Sequence, residues 1–493
     1  MDMSQPRGLS DGQKRRIMIG VMMAMMLAAL DQTIVAPALP IMGASLGDSE
    51  FLSWIISAYL VTGTAVTPLY GKLSDIHGRR PALFLSLGIF LVGSVICALA
   101  PSMAAIIVGR AVQGLGGGGL LALAQTIVAD IAAPRERARY VVYFSLVWAT
   151  SSVAGPIIGG FFAQHLHWSL IFWINLPVGA LAFAMSNRVL RILPQIKRDH
   201  RLDIGGAVLI VGATTALMLL LTLGGVRYPW TSTPILSLGV IAALLTLGFI
   251  VDMARAKEPL IPLGIFRNEV VGSASLSMFF AMLAFVGITV YLPIYFEFAL
   301  GMAPTASGAG LIVLLAGSVA GANTTGRYMP RIVHYKRMAV VGVICAVLAS
   351  VALSLLAKSL VFWEVQALML IVGVGVGAIF PTLTVSVQNA VDPRDLGIGT
   401  ATLGFLRSLG GAIGVAALGA VVLAHGVVSD AGLAQAGAVF DPELARRAGE
   451  AFVYVFGVQA AALAVSLFFL LLMEERPLRG PAKAHQAAAV AEV

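Results

Sequence analysis

One carboxylate, Asp31, lies inside the first apolar segment of the chain, residues 17 to 40. A helix rises about 1.5 Å per residue, so roughly 20 apolar residues cross the hydrocarbon core of a bilayer. An ionisable side chain within such a segment is costly to bury and therefore indicates a functional site. Because a carboxylate can bind and release a proton, the chemistry predicted first is proton coupling.

A second intramembrane charge, Arg110, is the predicted partner of Asp31. On the predicted boundaries each residue lies six positions from the same end of its span, so their depths match. Protonation of Asp31 would discharge the pair and couple proton binding to helix packing. Gln113, one helical turn after Arg110, extends the same polar face. The alternative is a static ion pair that only holds two helices together.

The elements that position these charges are membrane helices. Hydrophobic residues make up 59% of the 493 residues and charged residues 11%, with a mean hydropathy of +0.92. Soluble domains carry roughly 25% charged residues. The apolar runs are continuous rather than alternating, which excludes a β-barrel. The predicted fold class is therefore an all-α polytopic membrane protein.

Fourteen spans are predicted from hydropathy. The first six are 17–37, 51–71, 81–100, 104–127, 139–163 and 168–187, the inserted pair is 204–224 and 233–252, and the last six are 270–294, 305–325, 338–357, 361–385, 400–424 and 451–473. The chain then divides into a cytoplasmic N-terminus at 1–16, a six-helix half at 17–187, the inserted pair with its flanking loops at 188–269, a second six-helix half at 270–473 and a cytoplasmic tail at 474–493.

The basic residues support this arrangement. Of the 32 lysines and arginines, 26 lie on the side of the termini, 4 on the opposite side and 2 within spans. Positive charge concentrates on the cytoplasmic side of membrane proteins, so both termini are predicted to be cytoplasmic. The net charge of +8 is then explained by topology and attraction to anionic lipid rather than by nucleic-acid binding.

The loop after the second span carries a dense polar motif. Asp75 with Arg79 and Arg80 can clamp helix ends as a cytoplasmic latch, and Gly71 and Gly78 allow the tight backbone that this requires. A weaker version of this loop motif, which we call the faded loop copy, follows the tenth span at residues 326 to 337. The repetition predicts two related halves with a substrate path between them. The alternative is a simple basic loop that sets topology.

These motifs resemble those of the major facilitator superfamily, and specifically its fourteen-span drug:proton antiporter branch. The resemblance rests on the latch loop at residues 71–80 and on the residues 30–35 with 39–40, 109–110 with 113–114, 155–156 with 159–160, and 173–177. It implies two six-helix halves plus two extra central spans, and export of a small molecule in exchange for protons. Ile76 departs from the family, where that position is commonly basic.

Gly155, Pro156, Gly159 and Gly160 form the motif that the resemblance associates with antiport. Glycines at this spacing permit close helix approach, and a proline frees a backbone carbonyl, which predicts a kinked helix that packs against the neighbouring half. Ordinary packing of small residues is the alternative.

Further polar residues in or beside spans are candidates for a substrate cavity, because amides and aromatic rings give adaptable contacts. These candidates are Trp54, Tyr59, Gln113, Tyr143, Asn175, Asn323, Gln388 and Asn389, each with structural packing as its alternative. Glu297, where the family usually has a neutral residue, is either a second acidic site or a rim charge. Arg407 is expected either to act in gating near the cytoplasmic end or to extend towards the interface.

The favoured function is a proton-coupled exporter of amphipathic molecules or drugs in the inner cell membrane, with a proton-coupled or facilitative uptake carrier as the alternative. An enzyme is disfavoured because no nucleophile motif or metal-ligand cluster is evident, and no phosphate-binding loop for ATP is found. No catalytic residue, metal or cofactor is expected, and the proton gradient is the predicted energy source. The expected partners are the substrate, protons and lipid, while accessory proteins are left open.

Overall fold

The computed structural model describes residues 11–46, 51–132, 134–190, 203–225, 227–256, 259–261, 263–302, 307, 309–392, 395–425 and 442–478. Within these residues the apolar segments form helices, since a backbone in lipid must satisfy its own hydrogen bonds. Apart from an isolated bridge between Gly224 and Tyr228, the described part contains no β-structure.

The N-terminal half contains the helices α1 (Asp11–Ile34), α2 (Leu39–Leu46), α3 (Leu52–His77), α4 (Arg79–Ala98), α5 (Met103–Ile131), α6 (Pro134–His165), α7 (Leu170–Trp173) and α8 (Asn175–Leu190). The inserted pair is α9 (Ile204–Leu223) and α10 (Thr233–Arg255), followed by the short α11 (Leu263–Arg267). The C-terminal half contains α12 (Glu269–Ile294), α13 (Leu311–Tyr328), α14 (Lys336–Leu356), α15 (Phe362–Ala390), α16 (Leu396–Ala424) and α17 (Pro442–Leu472).

Twelve helices of the described chain are long and apolar enough to cross a membrane. The remaining two predicted spans, 51–71 and 305–325, correspond to α3 and α13, which are helical but do not belong to these twelve. The all-helical class is confirmed, whereas the count of fourteen spans is not and stays a prediction.

Several helices depart from their predicted bounds. α17 begins at Pro442 rather than near residue 451, because Glu443, Arg446 and Glu450 form ion pairs at helical spacing and extend it beyond the apolar run. The sixth predicted span is divided into α7 and α8, which are separated at Ile174.

The two halves repeat the same packing. In the first half α1 packs against α6 and α8, and α5 packs against α3 and α4. In the second half α12 packs against α16 and α17, and α15 packs against α13 and α14. Each helix thus has a counterpart at the same place in the order of its set, as the predicted repeat requires. The residue boundaries of the five predicted segments stay a prediction.

The halves meet along two seams, α3 with α16 and α6 with α13. α9 packs against both α3 and α16. Ile17, near the start of the described chain, and Leu478, at its end, join one apolar cluster together with Tyr335, whose hydroxyl donates to the Arg476 carbonyl at 2.9 Å. We call the end of the bundle where these residues meet the terminal face. Met329 and Tyr335, from the faded loop copy, pack into this cluster of the N-terminal half.

Candidate functional site

Asp31 and Arg110 form a buried ion pair between α1 and α5. Arg110 Nη1 lies 2.5 Å from Asp31 Oδ2, and the two residues are 1% and 0% exposed, respectively. Charges withdrawn from solvent are tolerated when their remaining polar atoms also find partners. The structure therefore contains the predicted pairing, while the role of the pair in proton coupling stays a prediction.

Two amide side chains complete the bonding of the carboxylate. Gln113 Nε2 and Asn175 Nδ2 both donate to Asp31 Oδ1, at 2.7 and 2.9 Å. Gln113 Oε1 accepts from Arg110 Nη1 at 2.7 Å. Ser94 Oγ accepts from Gln113 at 2.8 Å and from Asn175 at 3.2 Å. These side chains from α1, α4, α5 and α8 form one closed network, which we call the Asp31 cluster.

The Arg110 guanidinium has partners besides Asp31. Its Nε donates to the backbone carbonyl of Ile55 at 2.9 Å, and its plane lies over the ring of Tyr59 at 4.4 Å from the centroid. A desolvated cation over an aromatic face gains about 2 kcal/mol. Arg110 is thereby held to α3 independently of the charge on Asp31.

Small residues let α4 and α5 approach each other where the Asp31 cluster forms. A Cβ atom on Gly93 would overlap the backbone of Gln113, and a Cβ atom on Gly109 would overlap Cys97. Small residues at helix interfaces allow such close packing in a bilayer. Ser94 is brought within reach of Gln113 in this way, although a serine in an apolar helix gave no signal in the sequence.

At the terminal face, Asp75 joins the two halves. Its Oδ1 accepts from Arg79 Nη1 at 2.5 Å, and its Oδ2 accepts from the backbone N–H of Ile398 at 2.9 Å. Ile398 lies in the first turn of α16, where unpaired N–H groups and the helix dipole favour a carboxylate. Asp75 lies beyond the predicted end of its span, and burial raises the pKa of its carboxyl while Arg79 opposes that rise.

Arg79 and Arg80 have different partners. Arg79 Nε also contacts Asp130 at the end of α5 at 2.6 Å, a partner that the sequence analysis missed. Arg80 donates to Asn187 of α8 at 2.6 Å, so of the two arginines only Arg79 bonds to Asp75, the residue that contacts the other half. Gly78 separates α3 from α4 with φ +91°, a left-handed conformation that favours glycine. The other motif glycine, Gly71, lies inside α3 and not in a tight loop as predicted; it packs directly against Gly397 and Ala401 of α16.

Arg137 of α6 makes a second hydrogen-bonded contact between the halves. Its Nη1 donates to the backbone carbonyl of Gln388 at the end of α15, at 3.0 Å. The Gln388 amide donates to Thr400 at 3.4 Å, and the Asn389 amide donates to the Pro477 carbonyl at 3.1 Å. Both predicted cavity amides therefore bond to protein groups at the terminal face, and their role in a substrate cavity stays a prediction.

The Gly155 to Gly160 motif packs against α1. A Cβ atom on Gly155 would overlap Thr33, and one on Gly159 would overlap the backbone carbonyl of Ile34. Gly160 is less restricted, because its Cβ atom would lie 3.9 Å from Pro37. Close approach is present as expected, but these glycines face a helix of their own half rather than the neighbouring half. Pro156 lies inside α6, which remains helical through the motif.

The other cavity candidates stand apart from the Asp31 cluster. Trp54 is half-buried on α3, Asn323 is exposed on α13, and Tyr143 is 50% exposed with its ring beside Tyr140. No described hydrogen bond links them to Asp31. Their role in substrate binding stays a prediction.

Glu297 and Arg407 occupy distinct positions in the C-terminal half. Glu297 lies in a π-helical turn, Tyr295–Ala299, and accepts from Ser307 Oγ at 2.5 Å, so it is a bonded, half-buried carboxylate. Arg407 lies eleven residues into α16, near its middle, and not at the terminal end where a gating role was expected. Among the described residues, no group of His, Cys, Asp or Glu is placed to hold a metal ion.

The family comparison agrees with this architecture. The model of the Major Facilitator Superfamily matches residues 21–415. Multidrug resistance protein 3 of Bacillus subtilis (strain 168) is 32% identical over 405 residues, covering 82% of this chain and 79% of that protein. Multidrug transporter protein MdtP of the same organism is 32% identical over 413 residues, covering 84% and 76%. Efflux pump dotC of Dothistroma septosporum (strain NZE10 / CBS 128990) is 33% identical over 406 residues, covering 81% and 70%.

Two solved structures share the fold. The human organic anion transporter MFSD10 (TETRAN) aligns with a TM-score of 0.65 and 18% identity, over 93% of this chain and 99% of that one. The proton:xylose symporter XylE aligns with a TM-score of 0.64 and 14% identity, over 95% and 98%. Both align over more than nine-tenths of this chain, and with the family model matching most of the sequence, this chain belongs to the major facilitator superfamily of transporters.

Proposed function

We propose that this transporter exports small amphipathic molecules in exchange for protons by alternating access, with Asp31 as the proton-binding group. The observation that carries the proposal is the fully buried carboxylate of Asp31, bonded by donors from α5 and α8. A buried carboxylate that accepts hydrogen bonds from side chains of several helices couples its own protonation to the packing of those helices.

Proton binding to Asp31 would remove the negative end of the ion pair. Arg110 would keep the Ile55 carbonyl, the Gln113 oxygen and the Tyr59 ring, so it would stay with α3 and α5. Protonation therefore removes the electrostatic attraction between Asp31 on α1 and Arg110 on α5. Weakening it lets α1 shift relative to α5, which is the change in helix packing that an exchange cycle requires.

The closed terminal face corresponds to one state of such a cycle. The Asp75–Ile398 and Arg137–Gln388 contacts join the halves there, and the basic residues of the sequence support a cytoplasmic location for this face. Proton entry towards the cytoplasm would be driven in part by the membrane potential, worth about 2.3 kcal/mol per charge per 100 mV.

The direction of transport is supported by the relatives. Proteins at about 32% identity carry multidrug resistance and efflux names, which favours export over the uptake carrier considered above. Residence in the inner cell membrane, fourteen spans and a contribution to antibiotic resistance belong to the same proposal, as does the proton gradient as the energy source.

The test uses the full chain in liposomes with an imposed proton gradient. A panel of lipophilic drugs is added, and substrate-evoked proton movement is recorded with a pH-sensitive dye trapped inside. Wild type should exchange protons for at least one drug, and Asp31→Asn should abolish proton movement because the amide cannot bind a proton in the same range.

The control is Glu474→Gln, which removes a half-exposed carboxylate that pairs with Arg476 outside the spans. This variant should retain wild-type exchange. Normal exchange by Asp31→Asn, or drug transport by wild type without proton movement, would refute the proposal.

A further inference from the structure

Arg407 is a cation near mid-depth of the bilayer without a protein partner in the described part of the chain. It follows Leu396 by eleven residues in a 29-residue helix, about 16 Å along the axis at 1.5 Å per residue. Its side chain is half-buried, and no hydrogen bond or ion pair joins it to a described residue. Charges at this depth normally pair with an acid or a carbonyl, so an unpaired guanidinium marks a functional position.

The face of α16 that carries Arg407 points to the interior of the bundle. Positions 400, 404, 407 and 411 share this face by helical spacing. Thr400 accepts from the Gln388 amide of α15, a Cβ atom on Gly404 would lie 3.8 Å from Thr67 of α3, and one on Gly411 would lie 3.1 Å from Val286 of α12. Arg407 is thus surrounded by helices of both halves rather than by lipid.

The carboxylates of the neighbouring spans do not neutralise this charge. Asp31 is bound through both of its oxygens to Arg110, Gln113 and Asn175. Glu297 bonds to Ser307 in the turn that follows α12. Among the described residues, Arg407 therefore keeps guanidinium donors that no carboxylate of these spans occupies.

We propose that Arg407 binds the carboxylate of the transported molecule, so that amphipathic organic anions are among the substrates. This inference rests on the proposed export function. A guanidinium presents paired N–H donors that match a carboxylate, and in a low-dielectric site this pairing is stronger than in water. The apolar body of such an anion would pack against apolar side chains of the helices beside Arg407.

The energetics of exchange agree with an anionic substrate. When a monoanion leaves and one proton enters, the net charge moved into the cell is +2. When a monocation leaves and one proton enters, the net charge moved is zero. The membrane potential therefore drives anion export twice as strongly as it drives export of a neutral molecule.

The test compares two matched dyes on the purified full chain in nanodiscs. One is rhodamine 110, a xanthene dye whose free carboxylate makes it a zwitterion, and the other is rhodamine 123, its cationic methyl ester. Fluorescence anisotropy gives the Kd of each dye for wild type, Arg407→Gln and Arg407→Lys. We expect wild type to bind the carboxylate dye more tightly, and Arg407→Gln to weaken that dye about tenfold or more while leaving the Kd of the ester unchanged or lower, because the ester is a cation that Arg407 repels. Arg407→Lys, which keeps the charge, should fall between.

Lys358→Gln is the control, because it removes a positive charge at an exposed position beyond the end of α14 and should leave both Kd values unchanged. Equal weakening of both dyes by Arg407→Gln, no weakening of either, or a wild type that binds neither dye or prefers the ester would overturn the inference. Since the assay measures binding without a gradient, failure of proton exchange in the liposome test leaves these outcomes distinct.

Discussion

The carboxylate of Asp31 accepts hydrogen bonds from three side chains, and these partners are unequal. Arg110 supplies a compensating charge, whereas Gln113 and Asn175 supply only dipoles. Removal of one member of a buried ion pair leaves an uncompensated charge, while removal of both can be nearly neutral. The residues of the Asp31 cluster are therefore expected to be coupled rather than additive in their effect on stability.

Arg110→Gln should destabilise the protein by about 3 to 5 kcal/mol, because Asp31 is left buried without its counter-charge. The double variant Asp31→Asn with Arg110→Gln should be closer to wild type than Arg110→Gln alone. Thermal unfolding of the detergent-solubilised protein, followed by the loss of its monodisperse chromatography peak, measures both. A double variant less stable than the single would contradict a paired role.

Site residues could be predicted from the sequence when their residue types are rare in apolar helices. Asp31 and Arg110 stood out because charges are rare there, and Gln113 followed from its spacing. Ser94 and the Ile55 carbonyl could not be predicted, since a serine or a backbone group in a span carries no distinguishing signal. Asp130 was missed because its contact with Arg79 depends on where α5 ends in space.

At the scale of elements, the packing of α6 on α1 depends on glycines whose positions are not equivalent. Gly159 faces the backbone of Ile34, whereas Gly160 has room beside Pro37. Gly159→Ala should therefore force the two helices apart and destabilise the protein by about 1 to 3 kcal/mol.

Gly160→Ala is the matched control on the adjacent residue. It adds the same methyl group to the same helix, and its Cβ atom would be in ordinary contact at 3.9 Å, so stability should be unchanged or slightly higher. Thermal unfolding of both variants under one condition makes the comparison. Equal behaviour of the two would show that the α1–α6 interface adapts and that the spacing of the motif is not a packing constraint.

Helix existence was predictable from hydropathy, but helix ends were not. An apolar window stops at the first charges, whereas α17 continues through Glu443 and Arg446, whose side chains pair along the helix. The orientation of the Gly155 motif also could not be derived, because glycine spacing identifies a close contact without identifying the helix that makes it.

For the whole molecule, one of the two hydrogen-bonded contacts between the halves at the terminal face is made by the carboxylate of Asp75, in the N-terminal half. Asp75 binds the Ile398 N–H, which has no partner within its own helix. Asp75→Ala should expose that amide and loosen the face. Hydrogen–deuterium exchange of the first turns of α16 should then be faster than in wild type.

Asp130→Ala is the appropriate comparison, since Asp130 binds Arg79 within the N-terminal half. Exchange at the start of α16 should be unchanged in this variant. If the two substitutions accelerate exchange equally, the Arg79 network as a whole closes the face, and the direct contact from Asp75 has no special role.

The arrangement of the halves was predictable in outline, because composition, alternating loop charge and the faded loop copy all indicate a repeated helical bundle. The pairing of α3 with α16 and of α6 with α13 was not, since no local pattern specifies which helices of different halves meet.

The inserted helix α9 makes the two seams different from each other. It packs against α3 and α16 and so lies over the junction of the two halves on that flank. In the part of the chain that the structure describes, neither α9 nor α10 packs extensively against α6 or α13, so the second junction lacks this cover. A compound dissolved in the leaflet therefore meets two unlike flanks: on one, α9 lies over the junction of the halves, and on the other, within the described chain, α6 and α13 themselves form the outer surface of the junction.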